Sequence, residues 1–333
     1  MRLRKLVLTA AVLGLGGLVA LAWLALTSAP ALSAGPLVVE IPAHQGLVDI
    51  ANRLGEAGVV RSRAGFMATV IARGSMRRLK AGEYEIPREA STLDVVELLE
   101  AGRVRQHVIL HPEGATVSEL ARVLETERLA SAEDVVRAAG SERLLRSLGI
   151  DAPSLEGYLF PDTYQFVRGM SVDEMLSRMV QRTRAKLTPE LQARARERGL
   201  TVHQLLTLAS IIEREAVDPS ERSLISAVFW NRLRLDMPLQ ADPTVQYAAA
   251  KERRTLTRAD LTADHPYNTY VRRGLPPGPI ASRGLAAIEA TLEPAAVKYL
   301  YFVARDDRRH HFSTTVDEHN AAVARYRLYR RSL

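Results

Sequence analysis

Apolar and polar positions in the first third of the chain follow two periods, one typical of strands and one typical of helices. A short apolar, β-branched run predicts a strand at Leu37–Ile41, and apolar positions three to four apart predict helices over Leu47–Glu56 and Ala64–Arg73. Apolar and polar residues alternate in Leu79–Ile86, which predicts a second strand. Apolar residues in Thr92–Ala101 again have helical spacing. This order predicts a small α+β unit.

The order partly restarts further along the chain. Val108–Leu110 predicts a strand and Val117–Leu124 a helix. The segments Ile41–Gly46 and His111–Gly114 hold corresponding places before similar helices, so the chain contains a weak internal repeat. Small β-α-α units of this kind resemble LysM-type glycan-binding modules. We therefore expect a LysM-like region over residues 37–150.

Helical spacing dominates the second half, which we take as a separate domain over residues 151–333. Thr201–Gln204 has the form of a capping box, and Pro219 suits the first position of a helix. The predicted elements are helices at Val172–Leu187, Pro189–Arg198, Thr201–Ala216, Asp218–Arg234, Gly284–Thr291 and from Val316 onward, with a strand at Tyr299–Ala304 and loops between Arg234 and Gly284. The predicted fold class is α+β, with helix predominating in this domain.

The N-terminus has the pattern of a membrane anchor. Positively charged residues at positions 2, 4 and 5 precede an uncharged apolar stretch from Leu6 to Leu26, which is long enough to cross a bilayer as a helix. We expect a cytoplasmic segment at 1–5, a transmembrane helix at 6–27 and a linker at 28–36. The competing interpretation is a cleaved signal peptide with Ala29–Ala31 as its cleavage site. In both cases the domains that follow this stretch are expected to lie outside the cytoplasm.

Composition narrows the classes of function. The net charge is +7, but the arginines are scattered among acidic residues along the helices, so the charge describes a solvated surface and not a nucleic-acid site. Cysteine is absent, which excludes disulfides, thiolate zinc sites and a cysteine nucleophile.

The helix predicted at Thr201–Ala216 carries two glutamates beside an apolar stripe. Glu213 and Glu215 lie on opposite flanks of the stripe formed by Leu205, Leu208, Ala209, Ile212 and Ala216. A carboxyl group at the edge of an apolar face is partly desolvated, which raises its pKa toward the range of a general acid. The alternative is a pair of solvated glutamates bonded to Arg214 and Arg222, and helical geometry does not choose between the two glutamates.

Other segments combine polar and aromatic residues. The aromatics of Glu156–Tyr164 suit either stacking on sugars or packing in a core, and the polar residues of Asn231–Leu233, Leu239–Tyr247 and Tyr267–Ile280 suit either ligand binding or turns. His310, His311 and His319 do not have zinc-ligand spacing. The sequence also has no Gly-x-Ser-x-Gly elbow, phosphate loop or dinucleotide fingerprint.

Taken together, these segments resemble the endolytic murein transglycosylase family, strongly over Ser154–Tyr326 and more diffusely over Leu37–Glu127. The matching blocks are Leu155–Tyr164, Leu208–Glu215, Val228–Leu233, Leu239–Val245, Pro266–Tyr270, Gly274–Ile280, Tyr299–Ala304, His310–Ser313 and His319–Asn320. The resemblance implies that Glu215 is the catalytic acid/base. The family usually has a threonine after this glutamate, where this chain has Ala216.

Motif membership and polar character give further candidates for substrate contact or support. They are Glu213, Asn231, Gln240, Asp242, Tyr267, Asn268 and Tyr270.

The resemblance also implies a reaction. A lytic transglycosylase needs one essential carboxyl group because the C6 hydroxyl of the sugar attacks in place of water and leaves a 1,6-anhydro ring on N-acetylmuramic acid. No metal or cofactor is expected. The expected partners are peptidoglycan glycan strands, the membrane through the N-terminal helix, and peptidoglycan synthases. The enzyme is expected to cut nascent strands and so to end their elongation.

Two other functions fit part of the sequence. One is a non-catalytic peptidoglycan-binding scaffold for wall synthases. The other is a hydrolytic muramidase that uses Glu215 together with Asp242 or Glu213, since hydrolysis of a glycoside typically needs two carboxyl groups.

Overall fold

The computed structural model describes residues 14, 16, 17, 19, 20, 23, 35–251, 254–306 and 308–332. Two compact units divide the chain: Met1–His107 with Gln165–Met170, and Val108–Tyr164 with Ser171–Leu333. The predicted boundary at residue 150 falls inside the second unit, and the extent of a glycan-binding region stays a prediction.

The first unit has the element order strand, helix, helix, strand, helix. Its elements are β1 (Leu37–Ile41), α1 (Leu47–Glu56), α2 (Arg63–Ala72), β2 (Gly82–Ile86) and α3 (Thr92–Ala101). β1 and β2 pair antiparallel, with Leu37 opposite Ile86 and Ile41 opposite Gly82. Apolar residues facing inward from every element form one core, including Val39, Leu54, Phe66, Tyr84 and Leu99.

A buried polar cluster holds the segment Gln165–Met170 in this unit. The imidazole Nε2 of His107 lies 2.6 Å from Oε2 of the buried Glu83, and Nε of Arg168 lies 3.3 Å from Oε1 of the same carboxylate. One carboxylate from β2 therefore contacts side chains from two later parts of the chain.

The second unit is mainly helical. Its elements are α4 (Val117–Thr126), α5 (Ala132–Ala139), α6 (Glu142–Ser147), α7 (Val172–Lys186), α8 (Pro189–Glu197), α9 (Val202–Glu215), a 3₁₀ turn (Pro219–Glu221), α10 (Arg222–Arg234), α11 (Asp242–Ala248), α12 (Arg258–Thr262), α13 (Leu285–Leu292), β5 (Tyr301–Ala304), β6 (His310–Ser313) and α14 (Val316–Ser332). β5 and β6 pair antiparallel. Two further strands, β3 (Gln106–His111) and β4 (Asp162–Val167), form a two-stranded sheet.

Local sequence fixes where α9 begins. Thr201 Oγ1 accepts the backbone N–H of Gln204 at 3.1 Å, and the Gln204 side chain accepts the backbone N–H of Thr201 at 2.9 Å. This capping box satisfies two N–H groups that have no partner inside the helix. The predicted α+β class and the helix predicted here are confirmed, although the helix ends at Glu215, because Ala216 has extended backbone angles.

Six regular elements were not predicted from the sequence: α5, α6, β4 and β6, and also α11 and α12, which lie in the stretch predicted as loops. The missed helices are short, with five to eight residues, so the apolar period has too few turns to be recognised. The strand predicted at Leu79–Ile86 starts later, at Gly82, whose φ of +147° suits glycine.

In the part of the chain that the structure describes, no helix is both long and apolar enough to cross a membrane. The predicted anchor at 6–27 lies for the most part outside the described residues.

Candidate active site

Glu215 is the last residue of α9, a helix whose buried face belongs to an apolar cluster. The buried face of α9 contributes Leu208, Ile211 and Ile212 to this cluster, to which Phe229 of α10 and Leu239 also belong. Burial is the largest cause that raises the pKa of Glu215, to about 8, and the negative charge of Asp242 adds to it. The charges of Arg214 and Arg232 act in the opposite direction. This carboxyl group therefore keeps its proton at neutral pH.

Asp242, the first residue of α11, is held by a tyrosine. The hydroxyl of Tyr270 donates to Asp242 Oδ1 at 2.5 Å. Burial, and then the hydrogen bond and charge of Asp242, raise the pKa of Tyr270 well above its usual range. The phenol thus stays protonated and remains a hydrogen-bond donor. The structure brings Glu215, Asp242 and Tyr270 into one electrostatically coupled cluster.

Gln240 and Thr269 join the segments that carry these two residues. Gln240 has a positive φ of 50°, and its backbone N–H donates to Thr269 O at 3.0 Å. The next N–H, that of Ala241, donates to Thr269 Oγ1 at 3.0 Å, and Thr244 Oγ1 lies 2.9 Å from the same hydroxyl. These bonds fix the start of α11 against the loop before Tyr270.

Glu213 occupies a different environment from Glu215. Its Oε1 accepts from Arg222 at 2.9 Å and its Oε2 accepts the backbone N–H of Gly284 at 3.0 Å, with the side chain 5% exposed. Arg214, the residue between the two glutamates, donates to Gly114 O at 2.9 Å. Both carboxylate oxygens of Glu213 are therefore engaged, and the bonds of Glu213 and Arg214 fix the end of α9.

The two asparagines among the predicted site residues donate hydrogen bonds to backbone carbonyls. Asn231 Nδ2 donates to the carbonyl oxygens of Val297 and Tyr299, at 3.0 and 2.8 Å. Asn268 is 1% exposed, and its Nδ2 donates to three carbonyls, of which Ala263 O is nearest at 2.8 Å. The ring of Tyr267 packs on Tyr247, with 4.9 Å between centroids. These contacts shape the loops of the second unit.

Sequence reasoning did not single out Arg232, which is 7% exposed. Its Nε donates to Leu300 O at 2.7 Å, and its guanidinium carbon lies 5.2 Å from the ring centroid of Tyr301. A signal was present in the sequence: Arg232 follows Ile225 and Phe229 at helical spacing, so it stands on the apolar face of α10. An arginine at such a position is unusual unless its donors are satisfied.

The histidines are engaged in other contacts. His310 Nδ1 lies 2.7 Å from Glu221 Oε2, and the ring of His319 stacks on Tyr301 at 5.3 Å. Within the ranges that the structure describes, no group of three or more His, Asp or Glu side chains is arranged to hold a metal ion.

The cluster combines a protonated carboxyl group with a second carboxyl group and a tyrosine in an α+β domain, an arrangement that suits general acid/base chemistry. Comparison with known proteins identifies the family. A profile of the YceG-like family matches residues 39–325, and the chain belongs to this family.

The relatives carry one functional name. The chain is 33% identical over 304 residues to the endolytic murein transglycosylase of Bacillus subtilis, covering 86% of this chain and 84% of that protein. It is 29% identical to the endolytic murein transglycosylase of Streptococcus pneumoniae serotype 2, covering 87% of this chain and 58% of that longer protein. A crystal structure of a yceG-like protein from Listeria monocytogenes is similar at a TM-score of 0.60 and 34% identity, covering 87% of this chain and 99% of that one.

Proposed function

We propose that this protein is an endolytic murein transglycosylase in which Glu215 is the acid/base. The observation that carries the proposal is the position of Glu215, at the end of α9 beside Asp242, where burial raises its pKa to about 8. A general acid must hold its proton at the working pH and release it in the transition state, and a pKa near that pH serves both demands.

The reaction needs no external water. Protonated Glu215 donates its proton to the glycosidic oxygen between N-acetylmuramic acid and N-acetylglucosamine, and the bond from that oxygen to C1 breaks with its electron pair going to the oxygen. The C6 hydroxyl of the same muramic acid residue then attacks C1. Its proton passes to the Glu215 carboxylate, which regenerates the acid and leaves a 1,6-anhydro end.

The surroundings of Glu213 favour this reaction over hydrolysis. Hydrolysis needs a second carboxyl group free to activate water or to attack. Both oxygens of Glu213 are bonded, to Arg222 and to the backbone of Gly284. Asp242 is the remaining candidate for a second carboxyl group, and one of its oxygens accepts from Tyr270.

The first unit is proposed to bind glycan as a LysM-like module. Its β1-α1-α2-β2 order, with the two strands antiparallel, supports this assignment. The N-terminal charges and the apolar run after them support anchoring in the bacterial cell membrane, with both units outside the cytoplasm. An anchored enzyme reaches nascent strands near the membrane, where peptidoglycan synthases are the proposed partners and strand termination the proposed role.

Mass spectrometry of the products tests the proposal. The full chain in detergent is incubated with uncross-linked glycan strands, beside Glu215→Gln and the matched control Glu197→Gln, which alters an exposed glutamate of α8. We expect anhydro ends from the wild type and the control and none from Glu215→Gln. Reducing ends would identify a hydrolase, and glycan binding without any cleavage would identify a scaffold.

A further inference from the structure

Arg232 is a buried cation whose hydrogen bonds all go to neutral groups. Nε donates to Leu300 O, and Nη1 lies within 3.2 Å of Pro238 O, Leu239 O and Gln240 Oε1. Burying a charge is costly unless hydrogen bonds and an opposite charge compensate it. An arginine retained in such a place without a carboxylate in contact calls for a reason beyond packing.

One consequence of these bonds is a fixed turn. The three acceptors of Nη1 belong to consecutive residues, Pro238 to Gln240, which lead directly into Asp242 and α11. Gln240 has a positive φ of 50°, which residues other than glycine rarely adopt, so the turn needs contacts that hold it. The guanidinium supplies part of those contacts, beside the bonds of Gln240 and Ala241 to Thr269, and so contributes to the position of Asp242.

A second consequence is electrostatic. The groups that interact with Arg232 are Glu215 of α9, Tyr270, Tyr301 of β5 and His319 of α14. Asp242 of α11 acts in turn on Glu215 and Tyr270. Burial lowers the pKa of His319, and the charge of Arg232 lowers it further, so this imidazole stays neutral. Arg232 of α10 and Arg214 of α9 therefore supply the positive charges that act on Glu215.

We propose that Arg232 is a positioning residue for transglycosylation: its hydrogen bonds hold the turn that carries Asp242, and its charge stabilises the Glu215 carboxylate. This inference rests on the proposed acid/base role of Glu215. When Glu215 has given its proton to the leaving oxygen, the site contains two neighbouring carboxylates, Glu215 and Asp242. The guanidinium offsets their repulsion until the C6 hydroxyl returns a proton to Glu215.

The pH dependence of kcat/KM separates this role from a structural one, because it reports the acid in the free enzyme. Arg232→Gln removes the charge that lowers the pKa of Glu215, so the limb on which activity falls with rising pH moves to higher pH. We expect kcat/KM to fall by about 10²-fold at the optimum, because the variant loses a positive charge that acts on a developing carboxylate and loosens the turn before Asp242.

Arg273→Gln is the matched control. Arg273 Nη1 donates to the backbone and side chain of Asp236, in the same connection between α10 and α11, from an exposed position. This control loses a tether and a positive charge without touching Glu215, and we expect kcat/KM within about twofold of the wild type and an unmoved limb.

Arg232→Lys keeps the charge but cannot reproduce the planar set of donors, so its limb stays in place while kcat/KM falls. If Arg232→Gln does not fold, the pH profile of Arg232→Lys alone tests the proposal. The proposal would be overturned if Arg232→Gln folds and has the pH profile of the wild type, or if the high-pH limb of Arg232→Lys is displaced. It would also be overturned if neither variant folds, because the role of Arg232 would then be purely structural. A wild-type protein that forms no anhydro ends would instead refute the proposed function itself.

Discussion

Replacing Glu215 by glutamine is expected to stabilise the second unit at neutral pH and to leave its stability unchanged in acid. In the folded protein the pKa of Glu215 is raised from 4.5 to about 8. Between these two pH values the folded state keeps a proton that the unfolded state has released. The free energy of unfolding therefore falls as pH rises through this window, and below it the two states bind the proton equally.

The magnitude follows from the same shift. Each unit of pKa difference corresponds to about 1.4 kcal/mol. At a pH of about 7.5 the ionisable carboxyl group of Glu215 therefore lowers the free energy of unfolding by at most about 4 kcal/mol relative to a neutral group. Glu215 is partly exposed, and solvent screening reduces this figure. We expect Glu215→Gln to raise the free energy of unfolding by about 2–4 kcal/mol near pH 7.5 and by less than about 0.5 kcal/mol near pH 4.

Urea unfolding followed by tryptophan fluorescence measures this difference. The chain has two tryptophans, so in a Trp23→Phe background the signal comes from Trp230 of α10, whose Nε1 donates to Thr291 O at 2.9 Å. Glu213→Gln is the matched control on the same helix. It breaks the ion pair with Arg222 and should destabilise the unit by about 1–3 kcal/mol at pH 7.5. A gain for Glu215→Gln that does not change with pH would refute the reasoning.

Three further substitutions test the surroundings of Glu215. Asp242→Asn removes a negative charge that raises the pKa of Glu215, so the limb on which kcat/KM falls with rising pH should move to lower pH in a pH–rate profile. Tyr270→Phe removes the donor to Asp242 Oδ1. A hydrogen bond to a charged group contributes about 1.5–3 kcal/mol, so kcat should fall by roughly 10- to 100-fold at unchanged KM in steady-state assays with glycan strands. Asn268→Ala removes three bonds to backbone carbonyls and should lower the free energy of unfolding by about 1–3 kcal/mol in urea while the product stays the same.

Sequence patterns predicted the elements that carry their own start signals. The N-terminus of α9 depends on Thr201 and Gln204, three residues apart, and the interaction is wholly local. The prediction of where the same helix ends was less accurate. Ala216 is a good helix former and suits the apolar stripe, yet its backbone is extended with ψ of 98°. The bonds of Glu213 to Arg222 and Gly284, and of Arg214 to Gly114, fix this end, and they come from parts of the chain that no local pattern connects.

The roles within the site depended on tertiary contacts even more. Helical spacing placed Glu213 and Glu215 on opposite flanks of the stripe and did not choose between them, and only the family resemblance pointed to Glu215. The fold adds the physical difference: the Glu213 carboxylate is bonded through both oxygens, while burial raises the pKa of Glu215 to about 8. Asn231 and Asn268 were candidates because they are polar and lie in family motifs, but their amides bond to backbone carbonyls. Polar character alone does not separate ligand contacts from loop anchors.

The end of α9 at Glu215 leads to a last prediction, about Ala216. A carboxylate at the C-terminus of a helix meets the negative end of the helix dipole, so its protonated form is favoured there in addition to the effect of burial. Ala216 has no hydroxyl to donate to the carboxylate, whereas Ala216→Thr introduces one at a residue whose extended backbone suits a β-branched side chain. A hydroxyl that donates to the carboxylate favours the charged form, so the pKa of Glu215 should fall. We expect the limb on which kcat/KM falls with rising pH to move to lower pH in Ala216→Thr, and Ala216→Val, which has nearly the same shape and no hydroxyl, to leave it in place. A displacement of equal size in both variants would show that side-chain volume, and not hydrogen bonding, controls the acid at this position.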